Sequence, residues 1–246
     1  MKHGLGNATA ADPSTLLAAG LNALAIPVDP RMEQRVRLFL SEVRRWNRVG
    51  RLTGYRSEAE QIQHLVIESL LLLRVLPTPP TPLLDIGTGS GVPGLILKVA
   101  RPEWEVVLMD ANRRRANFLR HVVRSLGLEG VVVHQGRAEV LAGSAVLRAR
   151  FRTVTMRAVA APDAAVRLAR PFLRTDGHVV VPLGPGGYEG PGVVREVSVS
   201  AESSALRLRR AFLIIEAPEV EANVPRGTPR ARGAHLGGRQ PKGRRG

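Results

Sequence analysis

Between Pro13 and Leu76 apolar residues return at the three-and-four spacing of a helix face, as in Val36, Phe39, Leu40, Val43 and Trp46, with arginines between them. The pattern predicts a helical cap over residues 1–76. Asp29 or Pro30 suits the start of its second helix, and the Ser57, Glu58, Glu60 cluster suits the N-terminus of the third. Leu16 to Ile26 imitates a short signal core, but Asn22 interrupts it and no basic cluster precedes it beyond Lys2. It reads as a helix of a cytoplasmic protein. Pro77, Pro79, Pro80 and Pro82 then stop helix formation and form a stiff linker.

Beyond the prolines the period changes. Leu83 to Ile86, Val106 to Met109, Val131 to Val133, Val154 to Met156 and Val179 to Val181 are short runs rich in branched residues, and helical patterns separate the first three. Such alternation predicts a parallel sheet covered on both faces, with ligands at the carboxyl ends of its strands. Residues 77–224 are therefore expected to form a doubly wound α/β core. Val193 to Val199 and Ala211 to Ile215 lie too close together for a crossover helix, which predicts an antiparallel hairpin at the sheet edge.

Composition narrows the class. In 246 residues, 44% hydrophobic and 23% charged, there is material for one main core plus an appendage. No apolar run reaches the span of a bilayer, so no transmembrane helix is expected. The absence of cysteine removes disulfides, thiolate metal sites and thiol nucleophiles. Lysine and arginine outnumber the acids by 36 to 21, a net charge of +15 that points to a polyanionic partner, nucleic acid above all. Residues 225–246 hold seven of those cations, among them Arg226, Arg230 and Arg232, with no acid. This basic tail cannot bury a core and is expected to be disordered in isolation; the remainder of the chain stays basic without it.

The strongest local signal runs from Leu83 through Asp85-Ile86-Gly87-Thr88-Gly89-Ser90-Gly91-Val92-Pro93-Gly94, a strand entering a glycine-rich turn and then a helix. Such a turn lets backbone approach a ligand where a Cβ would collide. Pro93 suits the first turn of the helix, whose free amides would face an anionic group. Asp110 ends the next strand, where a carboxylate can accept both hydroxyls of a ribose. A nucleoside-type cofactor follows. Gly136-Arg137-Ala138-Glu139, after the third strand, is placed to meet an adenine edge with an amide and a carboxylate.

Dinucleotide enzymes favour Gly-x-Gly-x-x-Gly, whereas this loop has Asp85 and then glycines at 87, 89 and 91. It resembles the first motif of S-adenosylmethionine-dependent methyltransferases, in which the acid can hold the cofactor's ammonium directly or through water. Without cysteine, no covalent thiolate adduct can assist C5-pyrimidine methylation. The fourth strand is followed by Arg157-Ala158-Val159-Ala160, with no Asn-Pro-Pro-aromatic run of the kind that exocyclic-amine methyltransferases use. An acceptor with an available lone pair, such as guanine N7, needs mainly positioning.

Leu84-Asp85-Ile86-Gly87 to Pro93-Gly94, Asp110-Ala111-Asn112 with Arg113 to Arg115 and Asn117-Phe118-Leu119, Arg137-Ala138-Glu139 and Arg157 to Ala160 together resemble the ribosomal RNA small-subunit methyltransferase G family, also called glucose-inhibited division protein B. Trp46-Asn47, Leu52-Thr53, His64 and Glu68-Ser69-Leu70 match in the cap. The resemblance covers about residues 35 to 184. It implies a Rossmann-like class I fold and S-adenosylmethionine-dependent methylation of guanine N7 in 16S rRNA of the small subunit. By position it also assigns cofactor contact to Gly87, Val92, Asp110, Ala111, Asn112, Ala138, Glu139 and Arg157, to which the loop itself adds Asp85, Gly89 and Gly91 as expected cofactor-binding residues. Arg51, Val92 and Leu183 depart from the family's usual residues, which bears on the cap and the substrate side more than on the cofactor loop.

Methylation moves a positive charge from sulfur onto the base, so Arg157 is expected to grip the cofactor carboxylate or an RNA phosphate rather than approach N7. His64 and Glu68 are expected to pair without a metal, and Trp46 to pack in the core. Arg113, Arg114 and Arg115 with the tail's Arg226, Arg230 and Arg232 are the candidate phosphate-tracking surface. A monomer is expected. The alternatives are a methyltransferase of small molecules or another RNA, a nicotinamide oxidoreductase and a non-catalytic RNA-binding relative.

Overall fold

Helix entry follows the capping residues. The computed structural model describes residues 12–157, 161–183 and 194–216. The tail with Arg226, Arg230 and Arg232, and the run Ala158-Val159-Ala160, lie outside the described residues. Asp12 accepts hydrogen bonds from the Ser14 and Thr15 amides at the start of α1 (Pro13–Ala23). Asp29 does the same for Arg31 ahead of α2 (Pro30–Asn47), with Pro30 in the first turn. Ser57 and Glu60 form a reciprocal capping box at α3 (Glu58–Gln61). The chain then continues through a π-helical stretch, Ile62–Ile67, into α4 (Glu68–Leu71) and a 3-10 turn, Leu72–Arg74. The helical period predicted one regular helix there; the wider turn is a local insertion of the kind often found at functional sites.

The core runs β1 (Leu83–Ile86), α5 (Gly94–Ala100), β2 (Val106–Asp110), α6 (Arg113–Ser125), β3 (Val131–Gln135), α7 (Ala138–Leu141), β4 (Phe151–Met156), α8 (Pro162–Ala169), β5 (Leu173–Pro182), β6 (Val194–Glu202) and β7 (Arg207–Glu216). The strand order is β3-β2-β1-β4-β5-β7-β6. The first five strands pair in parallel; β7 is antiparallel to both β5 and β6. This is the expected Rossmann-like doubly wound α/β sheet, whose order reverses between β1 and β4. The hairpin is longer than its apolar centre predicted, because pairing continues through alternating polar positions to Glu202 and Arg207.

Leu83, Leu108, Val180, Phe212 and Ile214 face one side and share a buried cluster with Phe39, Val43, Ile67 and Leu70 of the cap and Phe118 of α6. The cap is thus one layer of the main core. Leu84, Val107, Val154, Met156 and Ile215 face the other side, against Ala165, Ala169 and Phe172. Each fully buried aliphatic or aromatic side chain contributes about 1.5–3 kcal/mol. Trp46 packs edge-on to Phe118 at 5.5 Å between ring centroids, tying α2 to α6 as expected for a core tryptophan. No helix among the described residues is long and apolar enough to cross a membrane.

Candidate active site at the carboxyl ends of the strands

The glycine loop is fastened from beneath. Asp85 is fully buried, and its carboxylate accepts from Thr88 Oγ1 at 2.6 Å, the Gly94 amide at 2.9 Å and Thr155 Oγ1 at 3.2 Å. Burial pushes its carboxyl up to about 6, while those three hydrogen bonds pull the other way. This corrects the expectation that Asp85 grips a ligand's ammonium: the carboxylate is spent on folding the loop and reaches no solvent. The amides expected to await an anion at the start of α5 are also engaged, Gly94 with Asp85 and Leu95 with the Gly91 carbonyl. Gly91 has φ +94°, and a Cβ there would lie 2.3 Å from Leu95 Cδ1, so the turn excludes other residues on two counts.

Asp110, at the tip of β2, fastens the loop from the side. Its Oδ2 accepts from the Gly89 amide at 2.9 Å and its Oδ1 from the Asn112 amide at 2.8 Å. Each oxygen keeps a lone pair beyond these bonds. Asp110 lines a cavity of about 210 Å³ with Gly87, Ala111, Gly136, Ala138 and Glu139, over the ends of β1, β2 and β3. Five of the residues assigned to the cofactor, far apart in the chain, thus share one wall. Gly89 is joined to this group through Asp110. Val92 is not: it is buried on the cap side, in the cluster with Leu95 and Leu119. Asn112 caps α6 by accepting from the Arg114 and Arg115 amides.

A larger cavity, about 740 Å³, opens over the ends of β4 and β5. Pro93, Met156, Arg157, Val180 and Leu183 line it from the core, Tyr55, His64 and Glu68 from the cap, and Arg210 and Phe212 from β7. Arg157 donates to the His64 carbonyl at 2.7 Å and lies 3.6 Å from Glu68 Oε2. Its guanidinium is committed to the cap, a salt bridge in place of the expected grip on a ligand carboxylate or phosphate. Glu68 Oε1 accepts from His64 Nδ1 at 2.7 Å and from Arg210. The predicted His64–Glu68 pair is therefore present, but it belongs to a four-residue cluster. Arg210 was missed by sequence reasoning. The signal was there: Leu208, Arg210, Phe212 and Ile214 alternate onto one face of β7, which puts an arginine at an inward position.

The candidate phosphate surface is less uniform than its sequence. Arg113 is exposed; Arg114 donates to the Val49 carbonyl at 3.1 Å, and Arg115 lies 3.9 Å from Asp110 Oδ2. These three, with Trp46 and Asn117 beside them, surround the N-terminus of α6, where Trp46, Asn112, Arg113, Arg114 and Asn117 border a groove. The family motif Trp46-Asn47 with Leu52-Thr53 has a folding role here: Asn47 Oδ1 accepts from the Leu52 and Thr53 amides and its Nδ2 donates to the Thr53 carbonyl, closing the loop after α2. Among the described residues no group of three or more His, Asp or Glu side chains is placed to hold a metal ion.

The family described as rRNA small subunit methyltransferase G, GidB, matches residues 32–185. A protein of that name from Chloroflexus aggregans is 36% identical over 69% of this chain and 71% of its own length. The namesake from Halorhodospira halophila is 36% identical over 77% of this chain and 87% of its own, and that from Moorella thermoacetica 33% identical over 72% and 74%. Among solved structures, a SAM-dependent methyltransferase from Aquifex aeolicus aligns with a TM-score of 0.44 at 13% identity, over 63% of this chain and 93% of that one. With most of its length matched by the family and by these relatives, the chain belongs to the rRNA small subunit methyltransferase G family.

Proposed function

We propose that the protein methylates guanine N7 in 16S rRNA of the small ribosomal subunit with S-adenosylmethionine as donor, acting in the cytoplasm as a monomer that needs no metal. Residues 1–76 serve as the cap, 77–224 as the methyltransferase core and 225–246 as a basic RNA-binding tail. The observation that carries this reading is the gathering of Gly87, Asp110, Ala111, Ala138 and Glu139 around one cavity at the ends of three neighbouring strands.

The donor set suits an adenosyl group. Asp110, already anchored by two amides, offers its remaining lone pairs to a pair of ribose hydroxyls. Glu139 and the backbone near Ala138 stand at the cavity rim for the adenine edge. When bound, S-adenosylmethionine supplies an electrophilic methyl group on a sulfonium. Guanine N7 carries no proton to remove, so the protein's task is to hold the base in line and exclude water. Glu68 offsets one of the two positive charges of Arg157 and Arg210 beside the larger cavity, which lessens that wall's opposition to positive charge arriving on the base. Arg113, Arg114 and Arg115, with the tail's Arg226, Arg230 and Arg232, supply phosphate contacts.

The test incubates the full chain with isotopically labelled S-adenosylmethionine and either small subunits or deproteinised 16S rRNA, then maps N7-methylguanine by chemical cleavage. Label at one guanine is expected. Calorimetry without heat on adding the donor, or label confined to positions other than N7, overturns the reading.

A further inference from the structure

The wall of the larger cavity has the features of a recognition site for a flat heterocycle. Its floor is apolar, with Leu72, Val180 and Phe212. At one side the Tyr55 and His64 rings stack at 4.5 Å between centroids and 17° between planes. Beside them stands Glu68, only 13% exposed, flanked by the Arg157 and Arg210 guanidinium groups. Glu68 Oε1 is taken by His64 and Arg210. Oε2, by contrast, accepts no hydrogen bond among the described residues; Arg157 lies 3.6 Å from it, outside hydrogen-bond distance.

Glu68 is therefore a carboxylate held by two neighbouring cations, with an acceptor oxygen left over, among the described residues, on a cavity wall. The pairing fixes the direction in which the carboxylate points. A carboxylate accepts and never donates, whereas the adjacent guanidinium groups donate and never accept. Together they read a ring edge that presents N–H groups next to a carbonyl oxygen. Guanine has that edge, in N1–H and the 2-amino group beside O6. Adenine presents an acceptor at N1 and an amino group at C6, the reverse order. Engaging guanine through N1–H and the 2-amino group leaves N7, on the neighbouring Hoogsteen edge, free for the methyl group. The position agrees: Pro93 and Met156 border the cavity, placing it across the β1/β4 switch from the cavity of Asp110.

We infer that Glu68, held by His64, Arg157 and Arg210, is the guanine-specificity residue, accepting hydrogen bonds from N1–H and the 2-amino group of the acceptor base in the larger cavity. This inference rests on the proposed reaction.

The experiment uses 16S rRNA assembled by ligation to carry guanosine or inosine at the mapped methylation position; inosine lacks only the 2-amino group. For the full chain, kcat/KM is expected to fall about 10- to 100-fold on inosine, the worth of one hydrogen bond to a charged acceptor. In Glu68→Gln, activity on guanosine drops and the guanosine-to-inosine ratio shrinks to about threefold or less, while calorimetric affinity for S-adenosylmethionine stays within twofold of the parent. A purely structural Glu68 would lower both rates together and leave the ratio unchanged, which overturns the inference. Equal rates on guanosine and inosine by the unmutated protein overturn it without any variant. Absence of labelling of guanosine RNA by the unmutated protein would instead defeat the proposed reaction.

Discussion

The two cavities beside the β1/β4 switch are built by different means. The smaller is made largely of backbone and side chains from three successive strand ends, and its buried acid, Asp110, is held by amides of the neighbouring loops. The larger is assembled by long side chains from the cap, β4 and β7, held in place by mutual charge pairing around Glu68. Hydrogen bonds from a fixed backbone yield a preformed shape that suits one invariant small molecule. A cluster of paired side chains on separate elements can be retuned one substitution at a time, which suits the partner that differs between enzymes of similar chemistry.

That contrast breaks most readily at Asp110. Asp110→Ala removes the partner of two amides and the proposed ribose contacts, so affinity for S-adenosylmethionine is expected to fall about 100-fold or more, at roughly 1.5–3 kcal/mol for each charge-assisted bond. Calorimetry showing less than a threefold loss would mean that the smaller cavity is not the donor site. Next in size is Asp85. Its folded carboxyl sits at about 6 against an ordinary 3.8, so the protonated form is favoured in the folded state. Its contribution is full below about pH 4 and is lost as pH rises through about 6, a change of about 3 kcal/mol. Asp85→Asn should remove that slope, and urea unfolding across this range should show the variant gaining relative to the parent as pH rises.

The charge-built side is expected to give smaller effects. Glu68→Ala leaves two guanidinium groups without their carboxylate, which should cost about 1–2 kcal/mol of stability while leaving donor affinity within twofold. A large loss of donor affinity would show that the cavities are coupled. The smallest effect belongs to Arg113→Ala, which should reduce the salt dependence of RNA binding by about 0.7 in log–log slope, measured by filter binding at several salt concentrations.

How much was legible follows the same division. The glycine loop, Asp110 and Gly136 to Glu139 are close to their strands in sequence, so period and spacing located them. The inward fold of Asp85 was not legible, because it depends on Thr155 from β4, 70 positions away. Arg157 was singled out correctly as a strand-end residue, but its partner His64 is 93 positions earlier, and no local pattern gives that pairing. The π-helical stretch at Ile62–Ile67 was equally hidden, since a four-residue spacing reads as an ordinary helix.

Arg210 comes 142 positions after Glu68 and sits on the last described strand, which inserts between β5 and β6. During synthesis the cap emerges first and β7 long afterwards. The wall of the larger cavity therefore cannot close on a nascent chain until nearly the whole described fold has left the ribosome, so on the proposed roles the chain would gain its discriminating face later than its nucleoside pocket.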